Sequence, residues 1–292
     1  MTERFGRPHM AIGGILTAMV TPFDANGELD EDAAVRLMRH LCENGSDGLV
    51  LTGSTGEAAT LTDDEKARLW ELAVAERPDG ATIVAGTGTY DTRHTVELTE
   101  RAAQIGVDAV LVVTPYYVKP NRRGIVAHYE ATAGASHVPV ILYNIPSRTA
   151  MDMPNDLLAE LAQIEGVEAV KQARYEDLAP IDGLDLLAGN DDVLPQVLDL
   201  GGTGGILVAS HLVGREMRRM IDEPDQRHEI HESLCDFYEA LTVTTNPIPI
   251  KTALGLAGHD VGGLRLPLVE ADERETAVIR QALERHNLLA AV

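Results

Sequence analysis

Val167-Glu168-Ala169-Val170-Lys171-Gln172-Ala173 is an apolar run of strand length with a lysine near its end. Alternation along a strand puts Val167, Ala169, Lys171 and Ala173 on one face, the lysine among small apolar neighbours. An ammonium taken out of water is costly unless it is paired or gives up its proton. A lysine held in this way is available as a neutral amine, the nucleophile that a Schiff-base enzyme needs. The ordinary alternative is a strand-edge lysine that snorkels to solvent. The sequence around it has to decide.

Seven further runs of the same kind precede and follow it, at Ile15–Val20, Gly48–Thr52, Thr82–Gly86, Ala109–Thr114, Val138–Asn144, Leu184–Ala188 and Gly205–Ala209. They carry Val, Ile and Leu on both faces, the pattern of parallel strands covered by helices. Between them, apolar spacing predicts helices over Glu31–Glu43, Asp63–Ala75, Thr92–Ile105 and Arg123–Ala135, with Asp30 and Thr62 as N-caps and Gly45 and Gly106 as stops. Eight strand–helix units in series predict an α/β protein, a closed (β/α)8 TIM barrel. A doubly wound open sheet is the competitor, but no GxGxxG follows the first strand. The barrel is expected over residues 1–222. Residues 223–292 show helical patterns at Glu229–Ala240, Ile250–Ala257 and Arg274–Asn287, which reads as a C-terminal helical segment packed on the barrel.

Among 292 residues, 45% are hydrophobic and 24% charged, enough for a sizeable core. The formal charge of -22, from 24 Lys+Arg against 46 Asp+Glu, disfavours nucleic acid and anionic membranes as partners. A small anionic substrate is still admissible where a few cations face one cleft. Met1 to Met10 lacks the apolar centre of a signal peptide, and no apolar stretch approaches membrane-spanning length, so a soluble cytoplasmic protein is expected. Cys42 and Cys235 fall in helical patterns without CxxC spacing and read as buried free thiols. The ten histidines form neither HxxxH nor HxH, so no metal centre is expected.

In a barrel of this kind the chemistry sits at the C-terminal ends of the strands. The second strand runs into Gly53-Ser54-Thr55-Gly56-Glu57, the fourth into Thr114-Pro115-Tyr116-Tyr117, and the fifth into Tyr143-Asn144-Ile145-Pro146-Ser147-Arg148-Thr149. The seventh leads to Gly189-Asn190-Asp191-Asp192 and the eighth to Ser210-His211. Taken singly, each has an ordinary reading: a loop with an N-cap, a core tyrosine, a solvated arginine, helix-capping acids. Their coincidence at one barrel mouth favours chemistry. A neutral Lys171 attacks a 2-oxo acid to form an imine, which loses a proton to become an enamine nucleophile. The Tyr143 phenol can shuttle protons through the hydroxyls of Ser54 and Tyr117. Backbone N–H groups of the glycine-rich turn and the Thr55 hydroxyl suit the acid's carboxylate, and Arg148 suits a second one.

These segments together resemble the dihydrodipicolinate synthase / N-acetylneuraminate lyase family. The match runs from Leu16-Thr17-Ala18-Met19-Val20-Thr21-Pro22, through Asn246-Pro247-Ile248-Pro249-Ile250-Lys251, to Leu264-Arg265-Leu266-Pro267-Leu268. The resemblance implies a (β/α)8 barrel with C-terminal helices, a homotetramer built from tight dimers, and no cofactor. It implies Lys171 as the pyruvate Schiff-base lysine, Tyr143 as proton shuttle, and Ser54 with Tyr117 as the rest of the relay, Tyr117 reaching into the neighbour's site. It also implies Thr55 and Gly53 at the pyruvate carboxylate, with backbone at Ile206 and Gly189 near the substrate.

Arg148 in its motif resembles the synthase branch, where this arginine binds the carboxylate of L-aspartate 4-semialdehyde. That implies condensation with pyruvate to 4-hydroxy-tetrahydrodipicolinate, in lysine biosynthesis. Ser54 and Gln172 resemble the lyase branch instead. Alternation turns Gln172 toward the helices, so it should say little about substrate. The alternatives are another class I 2-oxo-acid aldolase, acting on N-acetylneuraminate or a 2-keto-3-deoxy-sugar acid, and a silent barrel that only binds a 2-oxo acid. The resemblance also implies a lysine-feedback pocket at the tight-dimer interface. Its aligned positions here are Asp63, Lys66, Tyr90 and His94, with Tyr116 retained. Lys66 sets a cation against a cationic effector and His94 replaces an expected carboxylate, so lysine inhibition is expected to be weak or absent.

Overall fold

The computed structural model describes residues 12–78 and 80–290; the reading of Met1 to Met10 lies outside them. Eight parallel strands pair in chain order and close on themselves: β1 (Gly14–Ala18), β2 (Gly48–Leu51), β3 (Thr82–Gly86), β4 (Ala109–Val113), β5 (Val140–Asn144), β6 (Val167–Gln172), β7 (Asp185–Ala188) and β8 (Gly204–Leu207). Closure runs through Leu16 and Ile206, paired across β1 and β8. The predicted (β/α)8 barrel is the architecture found.

The helices between strands are α1 (Glu31–Glu43), α2 (Asp63–Glu76), α3 (Thr92–Ile105), α4 (Arg122–Gly134), the short α5 (Pro146–Thr149), α6 (Asn155–Leu161) and α7 (Leu194–Asp199). After β8 come α8 (Ser210–Asp222), α9 (Arg227–Ala240), α10 (Ile248–Leu256) and α11 (Glu273–Arg285). Their ends follow local chemistry. The Asp30 carboxylate accepts the N–H of Ala33, and Thr62 and Glu65 exchange side-chain and backbone bonds in a capping box. Gly106, at φ 97°, ends α3 in the left-handed region. Among the described residues no helix is long and apolar enough to cross a membrane.

Side chains pack in two layers. Leu16, Val50, Val84, Leu111, Ile141 and Ile206 fill the barrel interior, while Leu49, Ile83, Val110 and Leu142 meet the helices outside it with Trp70 and Leu41. Each fully buried side chain of this size contributes about 1.5–3 kcal/mol.

One strand departs from simple alternation. Val140 pairs with Val167 but Ile141 pairs with Ala169, so Glu168 is an extra residue at a bulge. Val167 therefore packs in the outer layer and not beside Lys171 as expected, whereas Ala169 and Ala173 do face the interior. The C-terminal helices lie against the barrel, with α9 packed on α8, α11 and the turn at Asp191–Val193.

Candidate active site

Register places Tyr143 of β5 directly beside Lys171 of β6. The lysine Nζ lies 4.2 Å from the centroid of the tyrosine ring, a cation–π distance. The two residues are 5% and 6% exposed, respectively, at the mouth of the interior layer. The bulge below them matters here, because a one-residue slip changes which side chains a strand turns inward.

The turn after β2 is bracketed by two non-glycine residues in the left-handed region, Thr52 (φ 56°) and Glu57 (φ 54°). Such backbone is held only by strong surroundings. Thr52 Oγ1 donates to the Gly86 carbonyl (3.0 Å) and accepts the indole N–H of Trp70 (2.9 Å). Glu57 is fully buried against Lys251 Nζ at 2.7 Å and accepts the N–H of Arg265 at 3.0 Å. Lys251 also donates to the Gly263 carbonyl (2.6 Å) and lies over the Phe23 ring at 4.3 Å. Burial pushes the Lys251 amine down and the Glu57 carboxylate opposes that shift.

Asn246 is a site residue that sequence reasoning does not single out, since it stands there only as part of the Asn246–Lys251 motif. Its side-chain amide donates to Thr55 Oγ1 (2.9 Å) and its carbonyl accepts from the Arg148 guanidinium (2.9 Å). One residue of the C-terminal segment thus ties together the two groups expected to hold carboxylates. The signal in the sequence is the asparagine before a proline, in the motif that also carries Lys251.

A cavity of about 710 Å³ opens here, lined by Ser54, Thr55, Tyr143, Arg148, Lys171 and Gly189. A neighbouring one of about 340 Å³ shares Ser54, Tyr143, Arg148 and Asn246, and adds Gly53 and Tyr116. Ile206 is buried in the interior layer. Among the described residues no direct hydrogen bond joins the Ser54 and Tyr143 hydroxyls. Tyr117 is not brought to the site of its own chain: it is 88% exposed, at φ 68°.

Other sequence-predicted residues have structural roles. Gln172 is buried outside the barrel and accepts from the Asn144 amide at 3.0 Å, on the helix side as expected. His211 accepts the Val20 N–H at Nε2 (3.1 Å) and turns Nδ1 to the Val208 carbonyl (2.8 Å). Burial pushes it down to about 4. Ser210 joins Thr17 and Ser46 in a buried hydroxyl chain. Asp191 does not cap its own helix, the ordinary reading of its position. Instead its Oδ1 accepts the N–H groups of Val208 and Ala209 (2.9 and 3.0 Å), tying the loop after β7 to the one after β8. Burial pushes its carboxyl up to about 6; those two N–H groups pull the other way, the Asp192 charge adds to the rise and the Lys171 charge opposes it. Cys42 and Cys235 are free, as expected, but only partly buried.

The expected effector positions pair among themselves. Asp63 meets Lys66 Nζ at 3.2 Å and His94 Nε2 at 2.8 Å, while Tyr90 and Tyr116 pack edge to face at 5.5 Å.

The chain matches the Dihydrodipicolinate synthetase family over residues 11–286. The 4-hydroxy-tetrahydrodipicolinate synthase of Heliobacterium modesticaldum is 41% identical over 294 residues, covering 97% of this chain and 98% of that protein. The protein of the same name from Desulforudis audaxviator is 41% identical over 302 residues, covering 99% and 100%. Among solved structures, DHDPS from Cyanidioschyzon merolae with lysine bound has a TM-score of 0.91 at 38% identity, covering 95% of this chain and 99% of that one. The chloride-inhibited dihydrodipicolinate synthase of Acinetobacter baumannii, complexed with pyruvate, has a TM-score of 0.91 at 32% identity, covering 96% and 100%. On the barrel, the paired Tyr143 and Lys171 and this match across nearly its whole length, the chain belongs to the dihydrodipicolinate synthetase family.

Proposed function

We propose that this chain is a 4-hydroxy-tetrahydrodipicolinate synthase, condensing pyruvate with L-aspartate 4-semialdehyde. The observation that carries the reading is the buried Lys171–Tyr143 pair, 4.2 Å from amine to ring centroid, in a cavity that Ser54, Thr55 and Arg148 also line. The names of the curated relatives support the same activity. Lys171 Nζ adds to the C2 carbonyl of pyruvate, water leaves, and the imine loses a C3 proton to give an enamine. The enamine carbon attacks the aldehyde, whose oxygen takes a proton. The amine of the joined product then attacks C2 and displaces Lys171, releasing the cyclic hydroxy acid and the free lysine. Tyr143 carries the protons, with Ser54 as its near hydroxyl partner. Thr55, steadied by Asn246, and the backbone at Gly53 hold the pyruvate carboxylate, with Gly189 and Ile206 shaping the pocket around it. Arg148, held by the Asn246 carbonyl, takes the second carboxylate.

No cofactor enters these steps. The working form in this reading is a cytoplasmic homotetramer of tight dimers, in which the exposed Tyr117 completes the relay in the neighbouring subunit. The barrel over residues 1–222 carries the chemistry, and residues 223–292 brace it through Asn246 and Lys251. Gln172, buried on the helix side, carries no weight for the lyase branch. Borohydride reduction with pyruvate, followed by mass measurement, tests the central step. An adduct confined to Lys171, and lost in Lys171→Ala, is expected; its absence from the native protein would sink the proposal. Turnover with the semialdehyde, against N-acetylneuraminate and 2-keto-3-deoxygluconate, separates the synthase from other aldolases.

A further inference from the structure

The larger cavity does not end at Lys171. It continues to the inner face of α9, where His231, Tyr238 and Glu239 line it opposite Asp191 and Asp192. The lining carries both signs, with Lys171 and Arg148 as cations and Asp191, Asp192 and Glu239 as carboxylates.

Tyr238 is only 5% exposed. Among the described residues neither its hydroxyl nor Nδ1 of His231 has a hydrogen-bond partner. A buried tyrosine hydroxyl normally finds a partner, and leaving it without one is costly. Its neighbours explain what that partner should be. The nearby Asp191, Asp192 and Cys235 push the phenol up, in addition to burial. Asp191 is fixed through Oδ1 by two backbone N–H groups, and among the described residues no hydrogen bond uses its other oxygen. The wall therefore presents acceptors and negative charge. A carboxylate there meets like charges. A neutral hydroxyl satisfies Tyr238 but leaves the carboxylates uncompensated. An ammonium supplies three donors and a positive charge at once.

We propose that this acidic wall of the cavity is the subsite for the ammonium group of the amino-aldehyde acceptor, with Asp191 and Tyr238 as its binding residues. The assignment rests on the condensation proposed above and deepens it. In aspartate 4-semialdehyde the carboxylate and ammonium share one carbon, so the assignment requires Arg148 and Asp191 to reach groups on that one carbon.

The test compares two aldehydes on pyruvate-loaded enzyme. Turnover is measured with aspartate 4-semialdehyde, and 4-oxobutanoate, the same aldehyde without the ammonium, is measured as a competitive inhibitor. Asp191→Asn and Tyr238→Phe should each lower kcat/KM for the semialdehyde by about tenfold and change the inhibition constant of 4-oxobutanoate by less than about twofold. Pyruvate trapping on Lys171 should persist in both. Tyr238→Phe removes a single oxygen and no backbone contact, so it carries the test if Asp191→Asn does not fold. Equal losses for both aldehydes, or none for either, overturn the subsite and leave the condensation standing. A native protein that neither traps pyruvate nor consumes the semialdehyde overturns the condensation and the subsite with it.

Discussion

Replacing Lys251 by Met should weaken the molecule far more than the loss of a surface lysine. Lys251 and Glu57 are both buried, with amine and carboxylate 2.7 Å apart. Glu57 sits in the strained turn that carries Ser54 and Thr55, while Lys251 lies on α10, almost two hundred residues further on. Removing the amine leaves a buried carboxylate whose remaining hydrogen-bond donor, among the described residues, is the backbone N–H of Arg265. Breaking a buried pair from one side costs about 3–5 kcal/mol, because the cost is that of the abandoned charge. For a chain of this size that is a fall in Tm of roughly 10 °C. Glu57→Gln should cost less, since the amide still accepts from Arg265 and Lys251 still donates to Gly263. The double variant should be more stable than Lys251→Met alone, with a coupling of about 0.5–3 kcal/mol. Urea denaturation of the three variants measures the cycle, and the KM for pyruvate measures the turn, which should rise as Ser54 and Thr55 lose their anchor. A Lys251→Met protein weakened by less than about 1 kcal/mol, or a double variant equal to the sum of the singles, refutes the reasoning.

Arg148→Ala should spare borohydride trapping with pyruvate while cutting kcat/KM for the semialdehyde by ~10²-fold, the scale of a lost charge-assisted contact; equal damage to both substrates places the arginine elsewhere. A lysine titration should show little inhibition at micromolar concentrations, because the expected effector positions hold a cation, Lys66, and their carboxylate, Asp63, is already paired with Lys66 and His94; strong micromolar inhibition removes that argument. Acid should destabilise the protein well above the ordinary carboxylate range. Burial pushes both His128 and His211 down to about 4, so between pH 6.5 and 4 the unfolded chain binds protons that the folded one refuses. Each histidine then loses ~3 kcal/mol of stability as the pH falls through that window, and the loss stops below it. Asp191, pushed up to about 6, gains a proton in the folded state over much the same range and offsets about one of the two. A Tm that stays level from pH 7 to 4.5 contradicts this balance.

The strands were legible because a buried parallel strand is written in consecutive residues. The run at Val167–Gln172 coincides with β6, and all eight predicted strands are present with ends displaced by a residue or two. Caps at Asp30 and Thr62 were equally local, each needing only a side chain and an N–H three residues on. Lys171 and Tyr143 were legible for the same reason. Each stands one residue before the end of its own strand, and neighbouring parallel strands bring such positions together. The bulge at Glu168 was not legible, since it is a property of the pairing between β5 and β6 and leaves no mark on either strand alone. It cost the expected position of Val167 and left Lys171 untouched because it lies below the lysine.

What the linear pattern could not show was how the site is held. Asn246 reaches Thr55 across 191 positions and Arg265 reaches Glu57 across 208, and side-chain contacts at such separations have no period to read. The contacts all run one way, from the C-terminal segment to the loops at the barrel mouth. Residues 223–292 therefore have a physical role in the site. The strands position Lys171 and Tyr143, but the turn carrying Ser54 and Thr55 is also anchored by Asn246, Lys251 and Arg265, and the loop carrying Arg148 by Asn246. The wall of α9 extends the same logic, since His231, Tyr238 and Glu239 reach the cavity only because that helix packs against the turn at Asp191. In the proposed reaction the barrel and its loops supply Lys171, Tyr143, Arg148 and Asp191, while the segment that follows it braces the turn at Thr55 and the loop at Arg148 and adds Tyr238.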